Sequence, residues 1–198
     1  MTKKSYILTI FLANFSLFLA LVFSVKENTG NNVCKISKLA LANGTQNPNG
    51  ECVETFMGEI PNSNNMVSTV ILFPKVNSEI EENQPFTIRT KTIGLRTGFF
   101  SDPEIQYYIF PQTLDDQGFI QGHSHVVIQE IKNEDEPFDP RIFAFFKGLD
   151  DPANGQGELN VLVENGLPVG SYRVCTMVSS FAHQPTLMPV AQRGNFDV

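Results

Sequence analysis

The chain has 198 residues, with 14 Lys and Arg against 21 Asp and Glu, a formal charge of −7, 17 Phe and no Trp. That acidic balance argues against nucleic acid and anionic lipid as partners, because both need a positive field. The length suffices for one domain with a core of its own.

Lys3 and Lys4 precede an apolar run over residues 7–23, which gives way to Val25-Lys26-Glu27-Asn28. A basic start, an apolar centre and small residues before a polar stretch predict a secretory signal peptide over 1–24, cleaved after Ser24. The alternative is a retained membrane anchor, but the run contains Asn14 and Ser16 and barely reaches the length of a span, about 20 apolar residues. The closing string, Arg193-Gly194-Asn195-Phe196-Asp197-Val198, lacks the hydrophobic tail of a lipid-anchor signal. The expectation is a secreted, extracellular protein with no membrane attachment after cleavage, folded as a single domain over 25–198. Cleavage removes two lysines and no acid, leaving 12 basic and 21 acidic residues, a charge of −9.

Three cysteines follow, Cys34, Cys52 and Cys175. In a secreted chain disulfides are the default reading. Cys34 and Cys52 flank Asn43-Gly44-Thr45-Gln46-Asn47-Pro48-Asn49-Gly50, a stretch too polar to order itself. A bridge closing it would contribute about 3 kcal/mol. Cys175 is then the odd one: a buried thiol, a link between chains, or an alternative partner for either of the others. Asn43-Gly44-Thr45 is an N-glycosylation sequon in a loop, so Asn43 is expected to carry a glycan.

No helical period runs for any length. β-Branched and aromatic clusters recur instead, predicting strands over 66–73, 86–93, 105–110, 123–131, 142–147, 158–164, 172–179 and 187–191, with Gly, Pro, Asn and Asp between them. Many short strands with turn chemistry between them read as an all-β sandwich or barrel. Leu167-Pro168-Val169-Gly170-Ser171-Tyr172-Arg173-Val174-Cys175 narrows this. It resembles the tyrosine corner of immunoglobulin-like and fibronectin-III-like β-sandwiches, in which a Tyr hydroxyl ties down the crossing loop. Gly170 is expected to supply an unusual backbone angle there. The predicted fold is thus an immunoglobulin-like or fibronectin-III-like sandwich with a disulfide-closed N-terminal loop. Asp150, Asp151 and Asn154 offer oxygen ligands, but their spacing matches no calcium loop.

The three histidines fall in two strings, Gly122-His123-Ser124-His125 and Ala182-His183-Gln184-Pro185. On a strand, His-x-His puts both imidazoles on one face. With His183 as a third ligand, His123 and His125 would make a site for copper or zinc, and Met188 is a candidate soft ligand for copper. Strand counting opposes convergence. With 105–110 as the third strand and 123–131 as the fourth, the fourth runs parallel to 172–179, and His183 falls at the opposite end of the sheet from the pair. The bland alternative has the rings bonded to backbone at strand ends. No catalytic residues are singled out: neither a Gly-x-Ser-x-Gly elbow nor a His-Glu-x-x-His motif occurs.

Four strings together carry a family resemblance: Gly122-His123-Ser124-His125-Val126, Phe143-Ala144-Phe145-Phe146-Lys147-Gly148, Tyr172-Arg173-Val174-Cys175-Thr176-Met177, and residues 183–194 from His183 through Gln192-Arg193-Gly194. The chain resembles a family of small secreted fungal proteins, some of which carry a misleading ribosomal-protein label. The resemblance implies secretion and no particular activity. It also implies a further cysteine beyond the Gln-Arg-Gly string, which is not found before Val198 and leaves the pairing of Cys175 open. A chain at −9 is a poor binder of ribosomal RNA.

Three functional readings follow. The first is a secreted, non-catalytic surface-binding protein, with cell-wall polysaccharide or an extracellular protein as partner and loops 96–103 and 181–185 as contacts. The second is an extracellular copper- or zinc-binding protein using His123, His125 and His183. The third is a hydrolase of unknown substrate.

Overall fold

A computed structural model describes residues 33–195 and residue 197. The predicted signal segment and its cleavage site lie outside them. Among the described residues no helix is long and apolar enough to cross a membrane.

The chain divides into two compact units. Among the described residues the smaller comprises residues 33–41 together with Asn49–Glu54. In it Cys34 and Cys52 form the expected disulfide, with Cα atoms 5.6 Å apart. Beside the bridge, the Cys52 amide donates to the Ala40 carbonyl at 2.8 Å.

The larger unit, Ala42–Pro48 with Thr55–Val198, is mostly β. Its strands are β1 (Ser68–Phe73), β2 (Phe86–Ile93), β3 (Leu95–Arg96), β4 (Ile120–Glu130), β5 (Phe145–Leu149), β6 (Glu158–Val163) and β7 (Tyr172–Ser180). One sheet has the order β1-β2-β6, antiparallel throughout. The other is built around β4, which pairs antiparallel with β5 and with β7, while β3 lies parallel to its first residues.

Period-two alternation explains the core. On β2 Phe86 and Ile88 point inward, on β4 Val126 and Ile128, on β6 Leu159, Val161 and Val163; with Leu149 they form the main apolar cluster. Burial of each large aliphatic here contributes about 1.5–3 kcal/mol. A second cluster, Val67, Ile120 and Val178, closes the far end. Between the two clusters the inward positions are hydroxyls: Thr69 and Thr92 bond each other at 3.0 Å, and Thr90, Ser124 and Thr176 are all buried.

The corner string behaves as the sequence suggested in one respect and not in another. The Tyr172 hydroxyl donates to the Pro168 carbonyl at 3.0 Å. Gly170, however, is not among the residues of positive φ. Its role is clearance, since a Cβ there would sit 3.1–3.2 Å from the Tyr172 ring.

Two predicted strands are absent, at 105–110 and 187–191. In the first, Asp102-Pro103 opens a turn. The Asp102 carbonyl accepts from the Gln106 amide at 2.8 Å and its carboxylate from the Glu104 amide at 2.9 Å, and Tyr108 has φ 59°. In the second, the Leu187 amide is held at 2.9 Å by the side chain of buried Gln112, which takes the place of a neighbouring strand. Losing the 105–110 strand removes one crossing of the molecule and reverses the direction expected for β4. It runs antiparallel to β7, with Gly122 opposite Ser180 and His123 opposite Ser179. The parallel arrangement derived from sequence is therefore corrected.

Candidate metal centre

The reversal brings the histidines together. His123 and His125 project from the face of β4 that points away from the core. His183 sits in the turn that follows β7, where its amide donates to the Ser180 carbonyl at 3.1 Å. Each of the three offers a nitrogen, and the three nitrogens lie within 4.8 Å of one another. His183 adopts φ 70°, a left-handed conformation uncommon outside glycine that costs roughly 1–2 kcal/mol.

Two loops close over the rings. The strap 97–110 is tied by backbone bonds from Phe99 N to Gly122 O (3.3 Å), Ser101 N to Phe181 O (3.1 Å) and Tyr108 N to Ala182 O (3.0 Å). The Phe100 ring packs against His123 at 4.6 Å and His183 at 5.0 Å between centroids. These are the two loops, 96–103 and 181–185, expected from sequence to make contacts; here they bury the histidines. His123 is wholly buried and His125 is 7% exposed, while His183 is half-buried. Burial, reinforced by the neighbouring His125 charge, lowers the His123 pKa to about 3. Burial also lowers that of His125.

The hydrogen bonds fix what the rings can do. His123 Nδ1 lies 3.0 Å from the Phe99 carbonyl. His123 Nε2 lies 3.2 Å from His183 Nδ1, and His183 Nε2 lies 3.0 Å from the Ser101 carbonyl. A carbonyl only accepts, so both outer nitrogens must carry hydrogen. A neutral imidazole has one N–H, so the two facing nitrogens are both left with lone pairs. A further proton would fill that gap, but burial opposes the charged form of His123. A metal cation fills it as well. Two ligands about 2.0–2.1 Å from a tetrahedral metal are separated by roughly 3.3 Å, close to the observed 3.2 Å. His125 uses Nδ1 toward the Met177 carbonyl at 3.2 Å, which leaves Nε2 as its ligand atom.

The other candidates fall elsewhere. Met188 packs against the Val67, Ile120 and Val178 cluster, away from the histidines. Asn154 spends its carboxamide oxygen on the amides of Gln156 and Glu158, both at 2.9 Å, as a local turn. Cys175 is a free thiol. Asn43 is exposed, with its side-chain oxygen accepting from the Thr45 hydroxyl at 2.7 Å.

Sequence reasoning missed four contributors. The carbonyls of Phe99 and Ser101 carry no side-chain signature. Gly122, which opens the Gly-His-Ser-His string, allows β4 and β7 to approach, since a Cβ there would lie well inside contact distance of the Ser179 carbonyl. Gly148, opposite His125, leaves room for Phe100 and His125 themselves.

Fold and site thus define a β-rich protein that buries a cluster of three histidines on the outer face of a sheet. The sequence profile of the CLU5d N-terminal domain matches residues 69–198, and the chain belongs to that family. It is 48% identical over 160 residues to a protein named Pathogenicity cluster 5 protein d from Colletotrichum graminicola, a match covering 79% of this chain and 34% of that protein. The chain therefore spans about a third of the length of that curated relative. No solved structure matches it.

Proposed function

We propose that this protein binds copper or zinc through His123, His125 and His183, and that it does so outside the cell. The observation that carries the reading is the 3.2 Å approach of His123 Nε2 to His183 Nδ1, each ring with its other nitrogen against a carbonyl. With both rings neutral, the two facing nitrogens are acceptors, and a cation between them satisfies both. The apolar run before Ser24 supports export, and the exposed sequon at Asn43 supports a glycan in that setting. The relative's name supports a role toward another organism. The architecture we favour is an immunoglobulin-like or fibronectin-III-like sandwich, on the strength of the β1-β2-β6 order and the Tyr172 corner.

Metal analysis tests the function. The protein, exposed to copper or zinc and then dialysed exhaustively, is expected to retain about one ion per chain, and His183→Gly to retain none. That variant relaxes the backbone at φ 70° as it removes the ligand, so it is expected to fold. Loss of both metals from the parent protein on dialysis would overturn the reading in favour of a purely structural cluster.

A further inference from the structure

We propose that the centre is built for cuprous copper and that Met177 provides its fourth, thioether ligand; this rests on the metal-binding function above. Four observations converge on Met177. It stands directly opposite His125 in the β4–β7 register. Directly opposed residues of an antiparallel pair have Cβ atoms about 4.5–5.5 Å apart on the same face. Its neighbours Thr176 and Val178 are buried toward the core, so alternation puts Met177 on the outer, histidine-bearing face. Its carbonyl holds His125 Nδ1 at 3.2 Å, which fixes the ring beside the residue that would share its ligand. Although its partner His125 is 7% exposed, Met177 is 42% exposed, so its side chain is not used up in packing and can swing inward.

The charge of the site points to the same ion. Among the described residues the cluster holds three histidines and no carboxylate or thiolate. Every ligand is then neutral, and the cost of holding an ion away from water grows with the square of its charge. Three neutral histidines hold zinc as well, so the desolvation cost favours a monovalent ion and the thioether is what selects copper. Neutral imidazoles with a thioether are also the donor set that soft Cu(I) prefers, whereas zinc favours imidazole, thiolate and carboxylate.

The test uses the whole protein under anaerobic conditions, with Cu(I) delivered in competition with a coloured cuprous chelator and Zn(II) titrated separately. Met177→Leu, a nearly volume-conserving change at an exposed position, is expected to weaken Cu(I) binding about tenfold or more while moving zinc affinity less than about twofold. X-ray absorption of the Cu(I) complex is expected to show one sulfur neighbour, retained in Cys175→Ser and lost in Met177→Leu. A nitrogen-only shell in the parent protein, a sulfur lost with Cys175→Ser, or unchanged Cu(I) affinity in Met177→Leu would each overturn the assignment of Met177 while leaving the histidine centre standing. Failure of the parent protein to hold either ion would instead remove the centre itself.

Discussion

The two faces of β4 are differently built. Toward the other sheet, Val126 and Ile128 are wholly buried by aliphatic neighbours from four strands. On the opposite face His123 is equally buried, but beneath a strap of loop whose Phe99 carbonyl meets its Nδ1. Apolar burial is non-directional and tolerates any shape-matched neighbour. Ring burial requires a partner for every nitrogen, and in the proposed centre a cation is the partner of His123 Nε2 and His183 Nδ1. The same strand therefore stabilises the fold through one face and, in that proposal, offers ligands to a cation through the other.

Separate perturbation of the faces sharpens this contrast. The largest effect is expected from Ile128→Ala, which opens a cavity at a fully buried site and should cost about 2–5 kcal/mol of unfolding free energy. Denaturant titration measures the loss. Metal affinity of the folded variant should be unchanged, and a coupled fall in both would break the division between faces. On the outer face the ion itself is the perturbation. At a free concentration one hundred times its dissociation constant it should stabilise the parent protein by about 2.7 kcal/mol and leave His183→Gly unaffected, as read from the shift in thermal midpoint.

Acid gives the next effect. His123 has its folded pKa lowered to about 3 against about 6.5 in an unfolded chain. Between those values the unfolded state binds more protons, so stability rises with pH across that window. The contribution of the neutral ring is fully present above pH 6.5 and is lost as pH falls toward 3, at about 1.4 kcal/mol per unit. His125 shifts in the same direction. Metal-free protein should follow this slope, and replacing His123 with Phe should flatten it. A parent protein with no slope between pH 6 and 4 would mean that the rings are not closed off from water.

Much of the inner face was legible in the sequence because apolar area leaves a periodic trace. The strand Phe86–Ile93 was read with its observed bounds, and the Tyr172 bond follows from the residues that lead into it. The outer face was legible only in part. His-x-His announces a shared face through period two. Its meeting with His183 depended on the direction of β4, and that direction turned on 105–110, whose Ile, Tyr and Phe content mimics a strand while Asp102-Pro103 winds it into a turn. The carbonyls of Phe99 and Ser101 that set the tautomers are backbone groups, which every residue has, so no residue type could have announced them.

The smallest expected effect tests how tightly the outer face is closed. Gly148 lies opposite His125 on β5. A Cβ there would come 3.2 Å from the Phe100 ring and 3.6 Å from the His125 ring. Gly148→Ala gains roughly 0.5–1 kcal/mol from reduced backbone freedom in the unfolded chain, and it crowds the Phe100 ring. The two effects should nearly cancel in stability, leaving the thermal midpoint close to that of the parent. They should not cancel in binding, because the crowding falls on the Phe100 ring, which packs against His123 and His183. Metal affinity is expected to fall several-fold, as calorimetric titration would record. An unaltered affinity would mean that Phe100 and His125 yield freely, and the outer face would then be a loose cover over the sheet instead of a preorganised cage.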